Sequence, residues 1–311
     1  MRAVSVPEYR ADAQLGEHDK PTAGPGQVLV KVQAAGMNPM DQAIASGFFS
    51  ERVPAIFPLI LGVDLVGVVE SVGDGTGLHS IGDRVFGQTF RPGSSGAYAD
   101  YAAVAADAMA IVPEAVSSEV AASLPTPGVT ALQLARTVEP VAGKTIAVVG
   151  AGGTVGGFLT QLLVASGATV LAVTLVPQAA RVLSYGVQEV FHATGRPAAD
   201  LRRAAPDGVD ALIDLASDPE HFALLADTVR SGGVAVSSRY AGDLDALAKK
   251  NIEGVNFAVQ MTTADLRNVA ALTAVGLLLP PPIRTVPFED VPGLLNGVGD
   301  AFDGKTVLQP E

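Results

Sequence analysis

Residues 28–35 (VLVKVQAA) alternate apolar and polar side chains directly after Gly24-Pro25-Gly26. That period of two, following a turn signal, predicts a half-buried strand. Residues 65–72 (LVGVVESV) and 83–86 (DRVF) read as two more short strands on either side of the Gly/Asp-rich loop 73–82, and 97–105 (AYADYAAVA) as another. The stretch up to residue 110 therefore predicts a domain of short strands joined by Gly- and Pro-rich turns.

From residue 117 the pattern changes. Ser117-Ser118-Glu119 is a helix-start signal, Pro125–Gly128 reads as a breaker, and 130–137 (TALQLART) reads as helix. Strand 145–149, a glycine turn, helix 157–166, strand 169–174, helix 177–184 and strand 189–191 follow, then strand 210–215, helix 220–229 and strand 233–238. Strands alternating with helices predict an α/β fold with a doubly wound parallel sheet. A helix near 264–276 and a strand at 305–308 close the chain.

Composition narrows the function classes. The 311 residues suit two domains, and 48% hydrophobic with 17% charged residues is a globular composition. The formal net charge of −12 disfavours a nucleic-acid partner. No apolar run has the length of a membrane span, and MRAVSVPEYR lacks a signal-peptide core, so the expectation is a cytoplasmic protein with no membrane partner. The chain has no cysteine, and His18, His79, His192 and His221 are scattered, so no metal site is expected.

The candidate chemistry centres on VVGAGGTVGG (148–157), where a strand meets a helix. Phosphate needs backbone N–H groups with no Cβ in the way and gains from the helix dipole. Gly150 permits the sharp turn, Gly153 allows close approach of the pyrophosphate, and Gly156 lets the helix pack on the strand, with Gly152 a further candidate cofactor contact. The bland alternative is a glycine-rich turn with no ligand. The following strand ends Thr174-Leu175-Val176-Pro177, without the carboxylate that binds the ribose of NAD. The missing acid favours NADP(H), with Thr174 as a donor and Arg181 as the nearest cation; Arg181 also reads as a solvated helix residue.

The order and spacing of GQVLVKVQAAGMNPMD (26–41), LGVDLVGVVESVG (61–73), GDRVFG (82–87), GAYADY (96–101), AASLPTPGVTAL (121–132), GKTIAVVGAGGTVGG (143–157), DALIDLAS (210–217), SGGVAVS (231–237) and GKTVL (304–308) resemble the medium-chain dehydrogenase/reductase superfamily, in its zinc-free quinone oxidoreductase-like branch. The resemblance implies a mainly-β GroES-like catalytic domain over 1–117, completed by 265–311, and a Rossmann domain over 118–264. It implies NADPH-dependent hydride transfer to a quinone or activated alkene, and a homodimer through a Rossmann edge strand, with 255–260 (VNFAVQ) as the candidate edge. Zinc-dependent relatives carry Cys near Asn38 and Gly-His-Glu where this chain has Gly62-Val63-Asp64.

Carried over by position, Asn38 would face the nicotinamide and substrate oxygen, and Thr130 the nicotinamide region. Gly153, Thr154 and Val155 would meet the pyrophosphate. Asp41 reads as a structural bond to a turn or to a helix start. Ser237 and Ser238 stand at a strand end, where open α/β sheets present ligand contacts. Tyr240 follows them as a candidate near the cofactor, and Phe257 and Val259 pack either near the nicotinamide or in the core. Tyr98 and Tyr101 read as core or interface residues. The family's frequent Tyr after the Asn-Pro-x-Asp segment is absent (Gln42-Ala43-Ile44), and its Asn-Tyr after the third Rossmann strand is His192-Ala193. Two other classes stay open: a cofactor-binding relative without turnover, and a specialised biosynthetic reductase or cyclisation enzyme.

Overall fold

In the computed structural model, residues 1–51, 55–91, 95–298 and 302–310 are described. They form two units: Met1–Val129 with Met261–Gly276 and Pro280–Glu311, and Thr130–Gln260 with Leu277–Leu279.

The first unit begins with β1 (Arg2–Val6), β2 (Gln14–Glu17), β3 (Gln27–Gly36), helix α1 (Pro39–Ala45), β4 (Leu59–Ile60), β5 (Asp64–Val72), β6 (Arg84–Gln88), β7 (Tyr101–Ala105), β8 (Met109–Ile111) and α2 (Ser118–Ala122). Ser117 caps α2 by accepting from the Val120 N–H, as its position before Ser118-Glu119 predicts. The alternation at 28–35 becomes the ten-residue β3, whose inward set packs with Leu65, Val85, Val104 and Met109 in one core.

Only Tyr101–Ala105 of the expected strand 97–105 is a strand. The residues before it lie along β1, with the Val4 N–H donating to the Tyr98 carbonyl at 2.8 Å and the Tyr98 N–H to Leu61 at 2.9 Å. The Tyr98 side chain accompanies this departure. It is fully buried against Gly62, which has φ +94°.

Helix α3 (Pro125–Thr137) corrects the reading of Pro125–Gly128 as a breaker: the helix starts there. Both prolines fall in its first turn, where the missing N–H has no intrahelical partner to lose. α2 and the start of α3 count with the first unit because α2 packs on β3 and β5.

The second unit holds β9 (Thr145–Val149), α4 (Thr154–Ala165), β10 (Thr169–Thr174), α5 (Ala179–Ser184), β11 (Glu189–His192), β12 (Val209–Asp214), β13 (Val229–Ser237) and β14 (Glu253–Asn256). The strands are parallel in the order β11-β10-β9-β12-β13-β14. This is the doubly wound dinucleotide-binding arrangement, with its switch point between β9 and β12. Helix α4 begins three residues before the expected 157, inside the glycine run. The expected helix 177–184 resolves into a 3₁₀ turn at Val176–Gln178 followed by α5. β14 is one of the two edge strands, with β11 the other; it ends at Asn256, so only the first residues of the candidate edge 255–260 belong to it.

The chain then returns to the first unit with β15 (Ile283–Pro287) and β16 (Lys305–Gln309). β16 pairs with β3, which extends one sheet through β15-β16-β3-β5-β6-β8, with β7 also on β3. Among the described residues no helix is long and apolar enough to cross a membrane.

Gly62→Ala drives a Cβ into the buried Tyr98 ring, well inside contact distance, at a φ that L-residues rarely adopt. The expected loss is more than about 1 kcal/mol, since strain and overpacking act together. A shift of the denaturant midpoint with unchanged slope is the readout, and an unchanged midpoint would contradict this packing.

Candidate functional site

The glycine turn sits at the carboxyl end of β9, at the switch point of the second unit's sheet. Gly150 adopts φ +83°, and its N–H and that of Ala151 donate to the Val173 carbonyl at 2.9 and 3.1 Å. The turn is thereby stitched to the end of β10. Gly153 is the N-cap of α4 and has no side chain to close the helix.

The glycines do different work. A Cβ on Gly156 would run into the Gly150 carbonyl and the Ala151 backbone, so this glycine brings α4 onto the turn. A Cβ on Gly152 would collide with the Thr174 hydroxyl and the Gln178 side chain. A Cβ on Gly153 would meet only the Gly150 carbonyl, at 3.5 Å, and Gly153 is exposed. The open side of the turn thus lies at Gly153, Thr154 and Val155, over the first N–H groups of a twelve-residue helix. Backbone donors and the positive end of the helix dipole lie on that side.

Arg181 is more than a solvated residue, because its Nη2 donates to the Gly152 carbonyl at 3.0 Å and brings a cation to the turn. Thr174 is 1% exposed and its hydroxyl donates to Gln178 Oε1 at 2.8 Å. Gln178, absent from the sequence-based candidates, therefore covers Thr174 and lies against Gly152. Its position between a strand end and the next helix was the available signal.

Ser237 is buried, and its Oγ accepts from the Arg239 and Ala241 N–H groups, closing the turn after β13. Ser238 donates to the Asp214 carbonyl. Tyr240 stands on that turn at φ +58°, 50% exposed. The Phe257 N–H donates to the Ser237 carbonyl, which ties the residue after β14 to the same strand end. Val259 is partly buried, and Thr130 is a buried residue of α3.

In the first unit a cluster of polar residues surrounds Asn38. Asp64 opens β5, is fully buried, and would cost several kcal/mol there unpaired. Its carboxylate accepts from the Thr126 N–H at 3.1 Å, from Thr126 Oγ1 at 2.6 Å and from Asn38 Nδ2 at 2.9 Å, with Lys305 Nζ at 3.9 Å. Lys305 Nζ donates to Asn38 Oδ1 at 2.6 Å. Gln88 Nε2 donates to Thr126 Oγ1. The positions that the family resemblance equates with metal ligands, 38 and 64, are bonded to each other. Neither Lys305 nor Thr126 stood among the sequence-based site residues, although Asp64 and Lys305 each place a charge directly ahead of an apolar strand segment.

Of the two structural roles open to Asp41, it takes the helix start: its Oδ2 accepts from the Asn38 N–H at 2.7 Å, and also from the buried Tyr98 hydroxyl at 2.6 Å. Its Oδ1 is buried without a partner among the described residues. Burial pushes the Asp41 carboxyl up to about 7, against the pull of the Tyr98 and Asn38 bonds. Burial also raises Asp64 and lowers Lys305, each held toward its charged form by the other. Among the described residues no group of three or more His, Cys, Asp or Glu side chains is arranged to hold a metal.

Residues 24–114 match the family model of the alcohol dehydrogenase GroES-like domain. The mouse quinone oxidoreductase is 32% identical over 292 residues, covering 89% of this chain and 86% of that protein. This chain belongs to the medium-chain dehydrogenase/reductase superfamily, in its quinone oxidoreductase-like branch. As a member of that superfamily it is an oxidoreductase with a GroES-like and a Rossmann unit. The human quinone oxidoreductase is 34% identical over 62% of this chain and 58% of its own length. An alcohol dehydrogenase superfamily protein from Novosphingobium aromaticivorans superimposes with a TM-score of 0.87 at 28% identity, over 100% of both chains. The Escherichia coli quinone oxidoreductase, solved in complex with NADPH, shares the fold, with a TM-score of 0.87 at 24% identity over 100% of both chains.

Asp41 generates a pH prediction. Its folded pKa lies above the unfolded 3.8, so the folded state binds the extra proton. That stabilisation is complete below about 3.8 and is lost as pH rises through about 7. The melting temperature of the wild type relative to Asp41→Asn is expected to fall across this window. A constant difference from pH 4 to 8 would contradict it.

Proposed function

We propose that this dehydrogenase/reductase is an NADPH-dependent, zinc-independent reductase of quinones or activated alkenes. The observation that carries the cofactor half is the turn at α4. Its only unfilled side is Gly153–Val155, a cation rests on Gly152, and no carboxylate ends β10. Gly153, Thr154 and Val155 would hold the pyrophosphate through backbone N–H groups. Arg181 and Gln178 would meet the adenosine ribose and its 2′-phosphate, with Thr174 acting through Gln178. The bound cofactor supplies hydride; the chain supplies orientation, exclusion of water and hydrogen bonds to the oxygen that gains charge.

The substrate half rests on the names of the relatives and on the Asn38 cluster. A quinone or enone spreads developing charge onto an oxygen that hydrogen bonds stabilise, so a Lewis acid is not required. Asn38 would stand on the substrate side in the first unit, and Thr130 beside the nicotinamide. Ser237, Ser238, Tyr240 and Phe257 frame the end of β13 as further cofactor or substrate contacts. Pairing of two copies through β14 would give a homodimer.

Fluorescence titration with NADPH, followed by oxidation assays with an ortho-quinone and a short enone, tests this reading; no binding at millimolar NADPH would overturn it. NADPH is expected to bind ~10- to 100-fold more tightly than NADH, about 1.4–2.7 kcal/mol. Arg181→Ala should weaken NADPH and spare NADH, and Thr174→Asp should reverse the preference; equal losses for both cofactors would remove Arg181 from the phosphate site. A Cβ at Gly153 makes only an ordinary contact with the Gly150 carbonyl, so in Gly153→Val the melting temperature should hold while NADPH affinity drops roughly 100-fold or more. Elemental analysis is expected to find no stoichiometric zinc, and one tightly held zinc whose removal abolishes activity would refute zinc independence.

A further inference from the structure

The Asn38 amide is addressed at both ends. Lys305 Nζ donates to its oxygen at 2.6 Å, while its nitrogen donates to Asp64 Oδ2 at 2.9 Å and to the Gly36 carbonyl at 3.2 Å. Turning the amide over would set its NH2 against an ammonium and its oxygen against a carboxylate. The two charges that forbid the turn are buried, at 3% exposure for Lys305 and 0% for Asp64, whereas Asn38 is partly exposed. The backbone of Asn38 is pinned as well, through its N–H to Asp41 Oδ2. Packing alone requires none of this. Two desolvated charges spent on the orientation of one accessible amide is the pattern of outer groups that aim a contact group.

We propose that Asp64 and Lys305 are positioning residues that fix the Asn38 side chain in one orientation and polarise it for the reacting oxygen of the substrate. Lys305, donating to the amide oxygen, draws electron density from the nitrogen and strengthens its N–H groups as donors. The N–H that reaches Gly36 is the longer of the two bonds and is the one shared with a substrate oxygen. Asp64 holds the other. The proposal rests on the reductase reading for its catalytic consequence, but the fixed amide is a property of the protein without substrate.

Two measurements separate these. In ¹⁵N-labelled protein the Asn38 amide pair is identified by its loss in Asn38→Ser. In the wild type this pair should exchange with solvent more slowly than the pairs of exposed Asn and Gln residues. In Asp64→Asn and in Lys305→Met it should shift and exchange faster, with Lys305→Arg restoring the slow exchange. An Asn38 pair that is unmoved in either folded variant overturns the proposal. Should Asp64→Asn fail to fold, the Lys305→Met and Lys305→Arg comparison decides alone.

In steady-state assays with an ortho-quinone and NADPH, kcat of Lys305→Met should fall ~10- to 100-fold, KM for the quinone should change little, and Lys305→Arg should recover most of the loss. NADPH affinity by fluorescence should stay at the wild-type value. Unchanged kcat alongside a disturbed Asn38 pair overturns the catalytic role. A wild type that turns over neither quinone nor enone sinks the reductase reading, while the exchange measurement still decides whether the amide is fixed.

Discussion

One buried carboxylate organises the first unit. Asp64 gathers the start of β5, the first turn of α3 through Thr126, the cap of α1 through Asn38 and the last strand through Lys305. These segments are far apart in the chain, and the two charges among their polar groups, Asp64 and Lys305, are buried and costly without partners. A charge buried with only part of its partners destabilises more than the complete set stabilises. The cluster therefore forms as a whole. It also accounts for the return of the chain after the second unit: without β16 the carboxylate would keep its hydrogen bonds but lose its counter-charge.

The two units handle polarity in opposite ways. In the second, the candidate ligand contacts are backbone N–H groups at the start of α4, and side chains such as Gln178 and Arg181 close the periphery. In the first, the contacts are side chains whose geometry depends on buried charge. Backbone donors recognise a phosphate of fixed shape with little dependence on residue type. Side-chain amides and hydroxyls recognise a reacting oxygen whose charge changes, and need a framework that holds them still.

Much of this was legible in the sequence. The period-two segments and the strand–helix alternation gave β3, β5 and β9–β13, and the spacing of the glycines marked the turn at the switch point. What stayed hidden was set by distance or by local exceptions. Pro125 and Pro127 read as a stop because the rule against proline applies inside a helix, and here they open one. Residues 97–100 alternate like a strand, but burial of the Tyr98 ring binds them to β1 and Leu61. Thr174 reads as a phosphate donor until its hydroxyl is seen to be given to Gln178, a partner no spacing rule names. The pairing of Lys305 with Asn38 joins opposite ends of the chain, beyond the reach of any local pattern.

The glycines of the turn also carry a historical record. Gly152 and Gly156 are demanded by the protein's own atoms, whereas nothing in the protein demands Gly153. A descendant that abandoned a nucleotide would remain under pressure to keep the first two, because a larger residue there would run into the turn's own backbone or into Thr174 and Gln178. The third would be released to drift. A side chain at position 153 in an otherwise intact turn would therefore date the loss of the ligand separately from any loss of the fold.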